Sequence, residues 1–167
     1  NIGERDLWGK SNFFEESIGI PLIIAGPDVP VGKVCKTPVS LIDIYPTILE
    51  TANLSVESRK PGRSLTKIAN EQDNNARVIF AEYHAMGSKS GGFMIRKGRW
   101  KYVHYVGMRA QLFDLESDPE EMSDLAENHE FGDIIQELEG ELRLICNPEV
   151  VDKIAKSDQM KIIELNG

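Results

Sequence analysis

The 167-residue sequence is poor in cysteine and histidine: it has two of the first, Cys35 and Cys146, and three of the second. The two thiols fit neither a zinc spacing nor a disulfide framework, so each reads as an ordinary small apolar residue. That usage leans toward a reducing, cytoplasmic compartment over an oxidising periplasmic one, and the compartment stays open because a leader could precede Asn1. Long apolar runs are also missing; the longest, Pro21 to Ala25 with its neighbours, falls far short of a bilayer span. Cationic residues are outnumbered, 19 Lys and Arg against 27 Asp and Glu, for a net charge of −8. No basic patch stands out, which excludes duplex nucleic acid and anionic membrane surfaces as natural partners. Repeats and low-complexity tracts are absent too. What is present, at 41% hydrophobic residues, is enough for one compact domain with a sizeable core.

The first seventeen residues concentrate charge around Gly3, Gly9 and Trp8 before any regular element, and read as an active-site loop. Lys10 within it is a compact point charge suited to an oxyanion such as sulfate or phosphate; the plainer alternative is a solvated loop lysine. Ile20 to Ala25, closed by Gly26-Pro27, has the composition of a strand buried on both faces. Val31 to Val34 follows as a short edge segment. Leu41, Ile44, Ile48, Leu49 and Ala52 recur at helical spacing, and Pro46 places the helix start near Tyr45, after a capped turn around Asp43. Residues 55–75 are mostly loop, with a brief helical turn from Leu65 to Ala69.

From Arg77 the pattern changes. Arg77 to Tyr83, Gly92 to Arg96, Trp100 to Val106 and Gln111 to Leu115 are rich in β-formers and joined by short links, which predicts an antiparallel meander with a tight turn at Lys97-Gly98-Arg99. Met86 to Gly91 reads as a flexible loop at the mouth of the first hairpin. Asp118-Pro119 suits the start of a short acidic helix. Ile134, Ile135, Leu138, Leu142 and Ile145 form the apolar stripe of an amphipathic helix that should lie on the meander. Asn147-Pro148-Glu149 opens a last helix with Val151, Ile154, Ala155 and Ile162 inward, its weaker stripe available to a second subunit. Glu82 and His84 stand two apart and so on one strand face, either lining a pocket or belonging to a hydrogen-bonded strand end.

Several segments together resemble the sulfatase family of the alkaline-phosphatase-like superfamily: Gly3-Glu4-Arg5-x-Leu7-Trp8-Gly9-Lys10-Ser11, Phe14-Glu15-Glu16-Ser17, Val39-Ser40-Leu41-x-Asp43-x-x-Pro46-Thr47, Pro61-Gly62-Arg63-Ser64-Leu65 and Gln111-Leu112-Phe113-Asp114-Leu115. Arg5 stands where that family usually has histidine. Glu82-Tyr83-His84 and Cys146-Asn147-Pro148-Glu149 are similar to the choline-sulfatase-like branch. The resemblance implies an α/β fold of which this chain is an α+β C-terminal fragment. Residues 1–75 would be a remnant of the large α/β domain, and residues 76–167 a small subdomain of four antiparallel strands plus helices. It implies a sulfuric ester hydrolase in which Lys10 contacts the sulfate, while Glu82 and His84 bind substrate. The formylglycine nucleophile and a divalent metal, calcium by family habit, would lie outside the chain, which alone would be inactive. Cys35-Lys36-Thr37-Pro38-Val39-Ser40 has proline and serine at the wrong offsets for the nucleophile signature and lacks its arginine. The resemblance also leaves room for a phosphoryl or phosphonate ester hydrolase of the same superfamily, and for a non-catalytic oligomerisation module using the C-terminal helices.

Overall fold

The computed structural model describes residues 1–57, 60–85 and 88–166. Its centre is a four-stranded antiparallel sheet in sequence order, with β1 Val78–Tyr83, β2 Gly92–Lys97, β3 Trp100–Tyr105 and β4 Gln111–Asp114. The meander predicted from composition is therefore present, with strand limits within a residue of those expected. The β2–β3 link is the two residues Gly98 and Arg99, and Gly98 sits at φ 56°, where a side chain would be strained.

The alternation of the strands gives the sheet two apolar faces. On one, Phe93, Ile95, Tyr102 and Leu112 pack under Leu138 and Leu142 of the 14-residue helix α4, Gly132–Ile145. At about 1.5–3 kcal/mol for each large apolar side chain removed from water, this layer is the main stabilising contribution of the fold. On the other face, Met94 and Val103 receive Phe13, with Ile18, Ala81, Tyr83 and Tyr105 around them. The short helix α1, Glu15–Ile18, starts just after Phe13.

The first half of the chain is organised by one carboxylate. Asp43 is fully buried and accepts hydrogen bonds from Ser40 N (2.8 Å), Arg63 N (2.8 Å) and Arg77 Nη2 (2.6 Å). It thereby ties the turn before helix α2 (Ile44–Thr51) to the loop before helix α3 (Leu65–Asn70) and to the root of β1. Gly62 makes the approach possible: at φ 106°, a Cβ there would lie 2.5 Å from the Ile42 carbonyl oxygen. The motif around Asp43 and the Pro61-Gly62-Arg63 segment are thus halves of one knot.

Three expectations are corrected. Ile20 to Ala25 forms no strand; Ile23 is 93% exposed, and Ile20 and Leu22 also face out, because no described segment offers this stretch a ladder partner. Val31 to Val34 is likewise a turn with exposed valines. Asp118-Pro119 starts no helix: its carboxylate caps Met122 N (3.1 Å) and Ser123 N (2.8 Å), and Glu121 turns to φ 53°, which ends any helical run. Of the mobile-loop reading for Met86 to Gly91, Met86 and Gly87 lie outside the described residues.

The last helix, α5 (Pro148–Asn166), corrects a fourth. Ile154 and Ile162 are exposed, and the face turned inward is partly polar. Asp152 is buried and accepts from Gly91 N (2.7 Å), Lys156 Nζ reaches both Asp152 Oδ2 and the Lys89 carbonyl (2.8 Å each), and Gln159 Nε2 donates to the His84 carbonyl. Backbone groups at the β1–β2 loop set this docking face, and they outrank the apolar stripe. Ile145 of α4, expected inward, is half exposed at the end of its helix.

Candidate functional site

Residues 1–12 form a small closed loop. Ile2 and Trp8 make a β-bridge, Gly3 N donates to the Leu7 carbonyl (3.1 Å) and Gly9 N to the Asn1 carbonyl (3.0 Å). Between them Glu4–Asp6 makes a single turn in which Arg5 and Asp6 have φ of 54° and 56°. Lys10 leaves this loop exposed and, among the described residues, without an ion pair. A free lysine of this kind can hold an oxyanion, and its effect on a reaction becomes large once a second wall removes it from bulk water.

The two other residues singled out from sequence do meet. Glu82 Oε2 lies 3.6 Å from His84 Nε2, with Glu82 44% and His84 17% exposed. Both ring nitrogens of His84 are buried without a hydrogen-bond partner among the described residues, and the ring stands edge-on to Phe93 at 5.1 Å. Strand register extends the row: Glu82 pairs with Phe93 and Phe93 with His104. His104 lies between Glu139 of α4 (3.2 Å) and Glu149 of α5 (3.8 Å). Glu149 is held down to about 2, first by its hydrogen bond from Arg143. Burial raises the Tyr102 hydroxyl well above its usual range, and its hydrogen bond to Glu139 (2.7 Å) adds to the rise. Sequence reasoning missed His104; the strand register would have placed it on the Glu82 face.

This row and the Lys10 loop do not come together. Glu82, Phe93 and His104 are on the sheet face covered by α4, whereas Phe13, next after the loop, packs on Met94 and Val103 of the opposite face. Beneath the loop side lies a charged cluster that was not among the candidates drawn from the sequence. Lys101 is fully buried and donates to the Phe13 carbonyl and to Glu15 Oε1, 2.8 Å each, and pairs with Glu121. Glu121 Oε2 accepts from Glu15 N at 2.6 Å, and burial raises its carboxyl above the ordinary range. The cluster staples residues 13–15 and the turn at residue 121 onto β3.

Beside it the first half of the chain presents uncovered hydrocarbon. Leu22, Ile23 and Val34 line a cavity of about 400 Å³ over Leu65 and Ile68, and a second, of about 300 Å³, opens between Ile20, Leu41, Ile44 and the edge residue Ile79. Together they leave a continuous apolar surface on this flank.

Comparison with known proteins gives this geometry its setting. Residues 3–147 match the family model described as N-sulphoglucosamine sulphohydrolase, C-terminal. Over 130 residues the chain is 44% identical to a choline-sulfatase of Rhizobium meliloti (strain 1021), covering 76% of this chain and 25% of that protein. A crystal structure from Bacteroides thetaiotaomicron VPI-5482, described as a sulfatase, superposes with a TM-score of 0.64 at 27% identity, over 90% of this chain and 33% of that one. A phosphonate monoester hydrolase from Silicibacter pomeroyi superposes with a TM-score of 0.68 at 21% identity, over 84% of this chain and 32% of that one, a likeness of fold alone. The chain thus spans a quarter to a third of the length of these proteins.

Proposed function

The chain belongs to the sulfatase family of sulfuric ester hydrolases, and we propose that it is the C-terminal part of an enzyme that cleaves sulfate esters, with Lys10 as its contribution to the reacting group. The observation that carries this reading is the match over residues 3–147, which takes in the loop that leaves Lys10 free for an anion. The lysine would neutralise charge on the ester oxygens and stabilise the departing sulfuryl group.

The proposed division is residues 1–75 as the edge of a large α/β domain and residues 76–167 as a small subdomain. The second part has its own core, while Leu22, Ile23, Leu41 and Ile48 of the first remain uncovered. A formylglycine and a divalent metal, calcium in our reading, would come from the larger share of the protein. Among the described residues no group of three or more His, Cys, Asp or Glu is arranged to hold a metal ion. The name of the rhizobial relative supports a cationic ester as substrate; half-exposed Glu82, beside His84, would offer the negative charge at a substrate-binding surface. The exposed Ile154, Ile162 and Leu165 of α5 would serve pairing of two copies. Among the described residues no helix is long and apolar enough to cross a membrane.

The test is Lys10→Ala in the intact enzyme, assayed on 4-nitrophenyl sulfate and 4-nitrophenyl phosphate. The expected result is a fall in kcat/KM for the sulfate of about 10²–10³-fold with an unchanged melting temperature. An unaltered rate removes Lys10 from the mechanism, and a phosphate rate above the sulfate rate overturns the sulfatase reading.

A further inference from the structure

Arg5 is out of character for a loop residue. It occupies the left-handed region at φ 54°, followed by Asp6 at 56°, although neither is glycine. Backbone of that kind costs on the order of 1 kcal/mol per residue and persists only where contacts over-determine it. The contacts are on its guanidinium. Nη1 donates to Glu16 Oε1 at 2.7 Å, Nη2 donates to the Glu120 carbonyl, and the guanidinium carbon stands 4.2 Å from the centre of the Phe14 ring. Glu16 responds: chiefly through that hydrogen bond, its carboxyl falls below the ordinary value.

What these contacts join matters more than their number. The hydrogen bonds of residues 1–4 and 6–9 stay inside the loop; among the described residues two side chains of residues 1–12 hydrogen-bond beyond it, Asn12, whose Oδ1 accepts from the adjoining Phe14 N (3.1 Å), and Arg5, which alone reaches segments distant in the chain. Its three partners are all fixed to the sheet. Phe14 packs on Phe113 of β4 at 5.9 Å, Glu16 belongs to α1, and Glu120 precedes the Glu121 held by Lys101 of β3. A closed loop with a single rivet moves as one body when the rivet is removed.

We infer that Arg5 is a positioning residue: its guanidinium, held by Glu16, the Glu120 carbonyl and the Phe14 ring, fixes to the sheet the loop that presents Lys10. The consequence for catalysis rests on the reading of Lys10 as the sulfate contact; the mechanical part does not. Arginine suits the task because its planar fork serves a carboxylate, a carbonyl and a ring face at once, which a lysine ammonium cannot.

The experiment separates the two. Trp8 is an exposed reporter on the same loop, so its time-resolved fluorescence anisotropy is followed in the intact enzyme with Trp100 and every tryptophan outside residues 1–167 replaced by Phe, alongside kcat and KM on 4-nitrophenyl sulfate. Arg5→Ala is expected to give Trp8 a fast nanosecond component and to lower kcat/KM about 10²-fold, the order set by small misplacement of a catalytic group. Arg5→Lys should be intermediate in both readouts, and Glu16→Gln should loosen Trp8 in the same direction. In a Lys10→Ala background, Arg5→Ala should change the rate no further. Trp8 as immobile in Arg5→Ala as in the parent overturns the rivet. Trp8 freed with the rate intact leaves the rivet standing but overturns Arg5 as a positioning residue; the reading of Lys10 is decided by Lys10→Ala alone. An equal rate loss with and without Lys10 shows Arg5 acting by another route, and also overturns the positioning role.

Discussion

Replacing Lys101 by methionine tests whether the staple beneath the loop is a compensated charge cluster. Methionine keeps an unbranched apolar stem of similar reach, so the change removes charge and donors with little loss of packing. It takes away the hydrogen bonds to the Phe13 carbonyl and Glu15 and leaves Glu121, whose side chain has no exposure, without its counter-ion. Breaking a buried pair from one side costs about 3–5 kcal/mol. In a chain of this size that corresponds to a melting temperature lower by roughly 6–20 °C. The pH dependence adds a signature. The folded-state pKa of Glu121 is raised by burial, so its ionisation opposes folding, and the opposition grows as pH climbs from the ordinary value of 4.5 through the raised one. Without Lys101 that opposition is uncompensated, and the gap between Lys101→Met and wild type should be small in mild acid and widest at neutral pH. Urea unfolding followed by circular dichroism at both pH values measures it, and adding Glu121→Gln to Lys101→Met should recover part of the loss. A neutral-pH loss below about 1 kcal/mol, or no recovery in the double variant, refutes the assignment of this cluster as buried and paired.

Two other outcomes are expected. Asp152→Ala leaves Gly91 N without its acceptor and Lys156 without its carboxylate, and should cost about 1–3 kcal/mol with faster amide hydrogen exchange confined to the β1–β2 loop and α5. Asp114 is held well below the usual carboxylate range, chiefly by Arg99 and further by Ser117 and the Glu116 amide; its contribution is complete above ordinary carboxylate values and is lost as pH falls below them, so Asp114→Asn should unfold with a shallower acid limb in a pH titration of stability.

The parts that sequence made legible are those whose partners are near in the chain. The meander could be read because hairpins pair neighbouring strands, and α4 because its stripe faces the sheet just before it. Ile20 to Ala25 was misread because a doubly buried strand is defined by strands on either side, and hydrophobicity alone says nothing of whether they are present. α5 was misread because its docking groups, Asp152, Lys156 and Gln159, answer to backbone atoms of residues 84–91, and a side-chain periodicity carries no trace of a lone amide. Of the candidate site residues, Glu82 and His84 proved to be neighbours as their spacing required, and Lys10 stands free as a loop lysine can. Lys101 had one sign: it alternates with Val103 and Tyr105 on an inward face, where a cation must find a carboxylate. Arg5 had none, since its conformation and all its partners are set by the folded chain.

The bare hydrocarbon around Ile23, Val34 and Ile48 bears on how this polypeptide behaves in the test tube. Water rejects such a surface, and molecules that share it will hide it in one another. The polypeptide should therefore cluster as its concentration rises, and polar substitutions at those three positions are the first step toward keeping it dispersed.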